Sequence, residues 1–160
     1  MADRGQPPAA PGRAKASAAH TRAEVALYTA VAAGSVIGSV LRWLVGLALA
    51  WSTLPWSTLL GATLFVNLTG SFAIGFFAGM TAPGGRWFVG PRLRQFFMTG
   101  VCGGYTTFSM FSLETLRMVQ QGKLVTAALY VALSLIAWLG AVWAGDALAM
   151  RLNRLKGAKI

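Results

Sequence analysis

The residues best placed to do chemistry in this chain lie in one run, Thr99-Gly100-Val101-Cys102-Gly103-Gly104-Tyr105-Thr106-Thr107-Phe108-Ser109-Met110-Phe111-Ser112. Three glycines in five positions, followed by two β-branched threonines, make a poor continuous helix. A helix broken inside lipid survives only where its freed carbonyls and amides find partners or line a cavity. Half-helix ends near the midplane of a membrane are suited to holding ions. The alternative is a glycine-lined close crossing of two helices with no break at all. Beyond the expected break, Phe108 and Phe111 are three apart and share a helix face, as do Ser109 and Ser112. Paired phenylalanines are ordinarily core, but a ring edge carries partial positive charge and can face an anion.

Two other polar residues interrupt apolar surroundings. Gly34, Gly38, Arg42 and Gly46 follow at four-residue steps, and so do Thr63, Asn67, Ser71, Gly75 and Gly79. On a helix each set forms a ridge of small or polar groups that lets backbones approach closely. Asn67 and Arg42 are costly to bury in hydrocarbon without a partner or a wet cavity. Asn67 is expected to line a pore or face a ligand in preference to making an interhelical hydrogen bond. Arg42, toward the end of its helix, reads as a structural or electrostatic anchor that snorkels to the interface. Tyr130 and Ser134, four apart, add hydroxyls to an otherwise apolar segment.

Something must position these groups. The chain has 160 residues, of which 56% are hydrophobic and 11% charged, with a formal net charge of +10. That is too little charge to cover a soluble domain, and the basic residues form no continuous stripe for a nucleic acid. His20 and Cys102 are the only histidine and cysteine, which excludes a zinc site and an intrachain disulfide. Four carboxylates and no usable imidazole make an enzyme improbable. An all-α integral membrane protein remains.

Four apolar segments are each long enough for a hydrocarbon core of about 30 Å. They run roughly from Val25 to Trp51, Leu59 to Met80, Phe96 to Leu113 and Leu124 to Ala149, with the break expected in the third. Residues 1–22 read as a disordered basic tail, 23–150 as the four-helix membrane domain and 151–160 as a basic C-terminal tail. The first loop is short, with Ser52, Thr53 and Pro55; the second is marked by Pro83-Gly84-Gly85-Arg86.

With these residues assembled, the chain resembles the Fluc (CrcB) family of fluoride channels over roughly Gly34 to Gly145. The strongest element is Gly103-Gly104-Tyr105-Thr106-Thr107-Phe108-Ser109-Met110-Phe111-Ser112 followed by Glu114, similar to a GG-x-TTFSTFS-x-E signature. Gly61-Ala62-Thr63-Leu64-Phe65-Val66-Asn67 with Gly70 resembles the second-helix pattern GT-x-x-VN-x-x-G, and Arg42 matches a first-helix arginine. The resemblance implies an antiparallel dimer with two fluoride pores and a structural sodium ion on the two-fold axis. It assigns that sodium to the carbonyls of Gly103 and Thr106, the pore aromatics to Phe108 and Phe111, and the pore asparagine to Asn67. The polar track becomes Ser109, Ser112, Tyr130 and Ser134, with Arg42 and Glu114 as structural or electrostatic groups. Met110 departs from the pattern, where a threonine hydroxyl is expected.

Physical chemistry points the same way. Fluoride is small and strongly hydrated, so a pore must replace its water with amide, hydroxyl and ring-edge donors that carry no trapping charge. No carboxylate is expected in the central part of any span, and nothing in the sequence couples passage to an energy source. A small proton-coupled cation exporter would need a deep carboxylate, whereas Glu24, Glu114 and Asp146 lie near segment ends. A non-conducting partner subunit of a heterodimeric channel is the other alternative, suggested by Met110.

Charge distribution sets the expected orientation in the cell membrane. One side would carry Arg4, Arg13, Lys15, Arg22, Arg86, Arg92, Arg94, Arg151, Arg154, Lys156 and Lys159, against Arg117 and Lys123 on the other. The positive-inside rule then places both termini in the cytoplasm. A bias this strong favours one-way insertion and pairing with an oppositely oriented homologue over a dual-topology homodimer.

Overall fold

A computed structural model describes residues 11–50 and 59–157, with side chains over 17–50 and 61–154. Every regular element among them is helical: α1 (Pro11–Ala50), α2 (Leu59–Met80), α3 (Pro91–Gln95), a π-helical segment (Phe96–Cys102), α4 (Gly103–Tyr105), α5 (Phe108–Gln120) and α6 (Leu124–Gly157). The stretches Ser17–Ala50, Gly61–Met80 and Leu124–Arg154 are long and apolar enough to cross a membrane. A bent helical run from Pro91 to Gln120 lies beside them as the fourth helical segment. Only 11% of the most apolar window of α1 and of α6 is buried within the chain, against 44% for α2. The central helix is therefore α2, while α1 and α6 turn apolar surface outward.

The tails differ from expectation. Helix α1 begins at Pro11, so residues 11–22 are helical instead of disordered, and α6 continues to Gly157. Alanines at 14, 16, 18, 19 and 23 explain the first extension, since alanine favours helix most strongly and proline suits a first helical position. Residues 1–10, the first loop with Ser52, Thr53 and Pro55, and residues 158–160 lie outside the described residues.

The glycine ridges are crossing points. A Cβ at Gly38 would collide with Val101 O, one at Gly34 with Phe96 O, and one at Gly104 with Ser35 O. Helix α1 thus lies backbone-to-backbone on the π-helical segment and α4. On the other flank Gly75 meets Val142 O and Gly145 meets Phe72 O, drawing α2 onto α6. Gly38→Ala and Gly145→Ala are each expected to cost about 1–3 kcal/mol through overpacking against backbone that cannot yield. Gly46→Ala, where nothing lies within 4 Å, is expected to leave the melting temperature of the purified protein unchanged or slightly raised.

Both expected readings of the third segment are realised, at different residues. The glycines stay helical, with Gly100 and Gly104 making the crossing; the break falls at the threonines that follow. Thr106 (φ −77°, ψ 161°) and Thr107 (φ −146°, ψ 121°) are extended. Extended backbone suits β-branched residues, and a threonine hydroxyl is a good N-cap. Thr107 Oγ1 accepts from Met110 N–H at 3.3 Å, starting α5.

Candidate functional site

Two helices hold the break open. From α2, Asn67 Nδ2 donates to Thr107 O at 2.9 Å, while Thr107 N–H donates to Asn67 Oδ1 at 2.7 Å. The side-chain amide thereby supplies the partner that Thr107 N–H lacks and adds a second donor to Thr107 O, which as N-cap carbonyl also starts the ladder of α5. In a continuous helix Thr107 N–H would go to Gly103 O, so the same bond deprives that carbonyl of its usual donor. From α1, Arg42 Nη1 donates to Thr106 O at 3.2 Å and Ser39 Oγ to Gly104 O at 3.4 Å. Asn67 is only 5% exposed and its amide is engaged by the break. The interhelical bond, not the pore-lining orientation, is what the single chain forms. Arg42, expected to snorkel to the interface, instead turns inward to a carbonyl of the break.

Beyond the break the two phenylalanines diverge. They touch, with ring centroids 5.6 Å apart, yet Phe108 is 70% exposed and Phe111 only 5%. Three residues leave the two rings only about 60° apart around the axis; Phe108, at the first position of α5, projects past the edge of α6, which Phe111 meets. Phe111 packs between Tyr130 and Trp138, at centroid distances of 5.2 and 4.9 Å. Ser134, one turn from each of those rings on α6, is buried. Its Oγ and Trp138 Nε1 are buried polar atoms with no protein partner. Ser109 and Ser112 accompany Phe108 on the exposed side, with Ser109 Oγ 3.2 Å from Thr107 Oγ1 and Ser112 Oγ donating to Phe108 O.

Glu114 is buried, although it lies within two turns of the starts of α2 and α6, as the sequence placed it near a segment end. Thr63 Oγ1 donates to its Oε1 at 2.7 Å and Tyr130 OH to its Oε2 at 2.6 Å. The carboxylate thus ties α5 to α2 and α6. Tyr130 spends its hydroxyl proton on this bond, which removes it from the donors facing open space. Sequence reasoning missed Thr63 as the partner of Glu114 and missed Trp138 altogether. The four-residue series Tyr130, Ser134, Trp138 is the signal that would have found the latter.

A cavity of about 520 Å³ lies between α1, α2 and the break, lined by Ser39, Arg42, Thr63, Thr107, Ser109 and Met110 among others. Arg42 is the charged group among these lining residues, so the recess suits an anion more than a cation. Among the described residues no three His, Cys, Asp or Glu side chains come together. A cation here would be held by main-chain carbonyl oxygens.

The described residues form a helical, membrane-type bundle whose bent helix is pinned open beside hydroxyls, aromatic rings and one arginine. The family model described as CrcB-like protein, Camphor Resistance (CrcB), matches residues 29–146, and the chain belongs to that family. A relative in Rhodopseudomonas palustris (strain BisB18) is 53% identical over 139 residues, 85% of this chain and 95% of that protein. Another, in Bradyrhizobium diazoefficiens, is 55% identical over 130 residues, 81% and 89% of the two chains. Both are named fluoride-specific ion channel FluC 1. The Rhodospirillum rubrum relative, fluoride-specific ion channel FluC, is 48% identical over 129 residues, 79% and 96% of the two chains.

Proposed function

We propose that this chain is a subunit of a fluoride-specific channel that lets fluoride leave the cytoplasm passively. The observation that carries the reading is the clamped break, which starts α5 with Phe108, Ser109 and Ser112 on an exposed face. An exposed aromatic ring flanked by hydroxyls is half of a conduit, and a second subunit would supply the other wall. Hydroxyl, indole and ring-edge donors replace the water around fluoride without a fixed charge to trap it. Ser134 Oγ–H and Trp138 Nε1–H are donors that no protein group uses. Efflux from liposomes containing this chain co-purified with its second subunit, followed with a fluoride electrode and with chloride as control, tests the reading. Fluoride release without chloride release is expected; no release of either would overturn it.

The second subunit is an antiparallel partner, and sodium fits at its junction with this chain. Gly103 has lost the donor from Thr107 and stands in open space, with nothing within 4 Å of the position a Cβ would take. Thr106 O keeps a lone pair beyond the one that Arg42 uses. Two such carbonyls from each subunit give a set of hard oxygen ligands. When bound there, sodium would tie the two broken helices together at their breaks.

The partner is an oppositely oriented homologue, and both termini of this chain face the cytoplasm. The eleven-to-two charge bias supports one-way insertion. Met110 lines the cavity beside Arg42, so a hydroxyl missing at that position would have faced it. Cysteine introduced near the C-terminus is expected to be labelled in intact cells only after permeabilisation. Substantial labelling from outside would sink one-way insertion, and robust flux from the protein purified alone would remove the need for a different partner.

A further inference from the structure

The end of the bundle formed by residues 81–95 and the last turns of α6 carries features that conduction does not use. Helix α2 spans about 33 Å at 1.5 Å per residue, so the loop after Met80 emerges at the level of the headgroups. That loop is held in place. Gly84 takes a φ of 81°, Trp87 N–H donates to Met80 O at 3.0 Å, and a side chain at Gly85 would collide with Met80 O. The Trp87 ring packs on Phe76 and Phe77 at centroid distances of 5.8 and 6.0 Å. Asn153 fastens α6 to it, accepting from Arg86 N–H and donating to Gly79 O, both at 3.1 Å.

On this fixed platform Phe88 is 93% exposed, next to a half-exposed Trp87 and to Leu93. Around them stand Arg86, Arg92, Arg94, Arg151 and Arg154, all exposed. Among the described residues the one contact between a basic side chain and a carboxylate at ion-pair distance is His20–Glu24, so none of the five is neutralised by a carboxylate. Residues 59–157 contain only Glu114 and Asp146 as acids, and Glu114 is engaged at the far end of α2. A recess of about 370 Å³ opens among Thr81, Trp87, Phe88, Pro91, Arg94 and Gln95.

We propose that this surface binds the headgroups of anionic phospholipids. Aromatic and aliphatic side chains enter the acyl boundary, while the arginines meet phosphate at the depth where it lies. A guanidinium fork matches phosphate oxygens in a bidentate fashion, and Arg94 stands at the edge of the recess. Zwitterionic headgroups lack the net charge that five unpaired arginines favour.

Lipid retention by the full chain, purified in detergent, tests this without reference to fluoride. The protein is mixed with equal amounts of phosphatidylglycerol and phosphatidylcholine, and bound lipid is counted by native mass spectrometry. Phosphatidylglycerol should be retained at least about fivefold over phosphatidylcholine, the contribution of a single surface arginine. The triple variant Arg86→Gln/Arg92→Gln/Arg94→Gln should lower that retention at least about tenfold. Arg94→Gln alone, which leaves the loop hydrogen bonds intact, should lower it about fivefold. Replacing the same three residues by lysine should keep most of it. Equal retention of the two lipids by the wild type would overturn the proposal. So would glutamine variants that hold phosphatidylglycerol as the wild type does.

Discussion

Phe108→Ile is expected to lower fluoride efflux at least about tenfold while costing the fold no more than its one ring contact, about 0.5–1.5 kcal/mol. The ring is 70% exposed, and its aromatic neighbour is Phe111. Isoleucine keeps apolar bulk but has no positive edge to offer an anion. Phe111→Ile is a different experiment. That ring is buried against Tyr130 and Trp138, and each lost aromatic contact costs about 0.5–1.5 kcal/mol. Flux and melting temperature should therefore both fall at Phe111, and chiefly flux at Phe108. With both replaced, efflux should drop about a hundredfold, to the leak of protein-free liposomes. Normal efflux from Phe108→Ile, in protein whose circular dichroism and elution volume match the wild type, would remove the ring edge from the conduction path.

Much of this arrangement is written in the sequence where one cause dominates. The bounds of α2, Leu59–Met80, match the expected segment because an unbroken apolar run stops at Thr81-Ala82-Pro83-Gly84. The break in the third segment is legible too, but not its position. A missing Cβ serves a kink and a close approach equally well, and local sequence does not say which. The partner ridge does: Gly34 and Gly38 recur at the spacing of one face, and they are what Gly100 and Gly104 cross. With the glycines committed to packing, the adjacent threonines take the extended backbone. Asn67 and Glu114 were harder for a related reason. A buried polar side chain announces a partner, and neither partner lies nearby in sequence. Forty residues separate Asn67 from Thr107, and fifty-one separate Thr63 from Glu114. The alanine-rich start of α1 misleads in the opposite direction, since low complexity reads as disorder although alanine is the best helix former.

Asn67→Ala should be the most damaging single substitution in the site. It strands Thr107 N–H, while Thr107 O keeps its place at the start of the α5 ladder. A buried unpaired group costs about 1–3 kcal/mol. The least costly escape is for Thr107 N–H to return to Gly103 O, which closes the break and consumes the carbonyl proposed for sodium. Two consequences then appear together: loss of flux, and loss of any stabilisation by sodium. Thr63→Val is the useful comparison. It also removes a buried hydrogen bond from α2, to Glu114 and not to the break. It should lower the melting temperature but leave the sodium effect in place. Melting each purified variant in sodium chloride and in N-methylglucamine chloride separates the cases. The wild type and Thr63→Val should melt higher in sodium, and Asn67→Ala should melt equally low in both salts. A sodium effect that survives in Asn67→Ala would mean that Arg42 and the Thr107 cap suffice to hold the break open, with Asn67 only a packing contact.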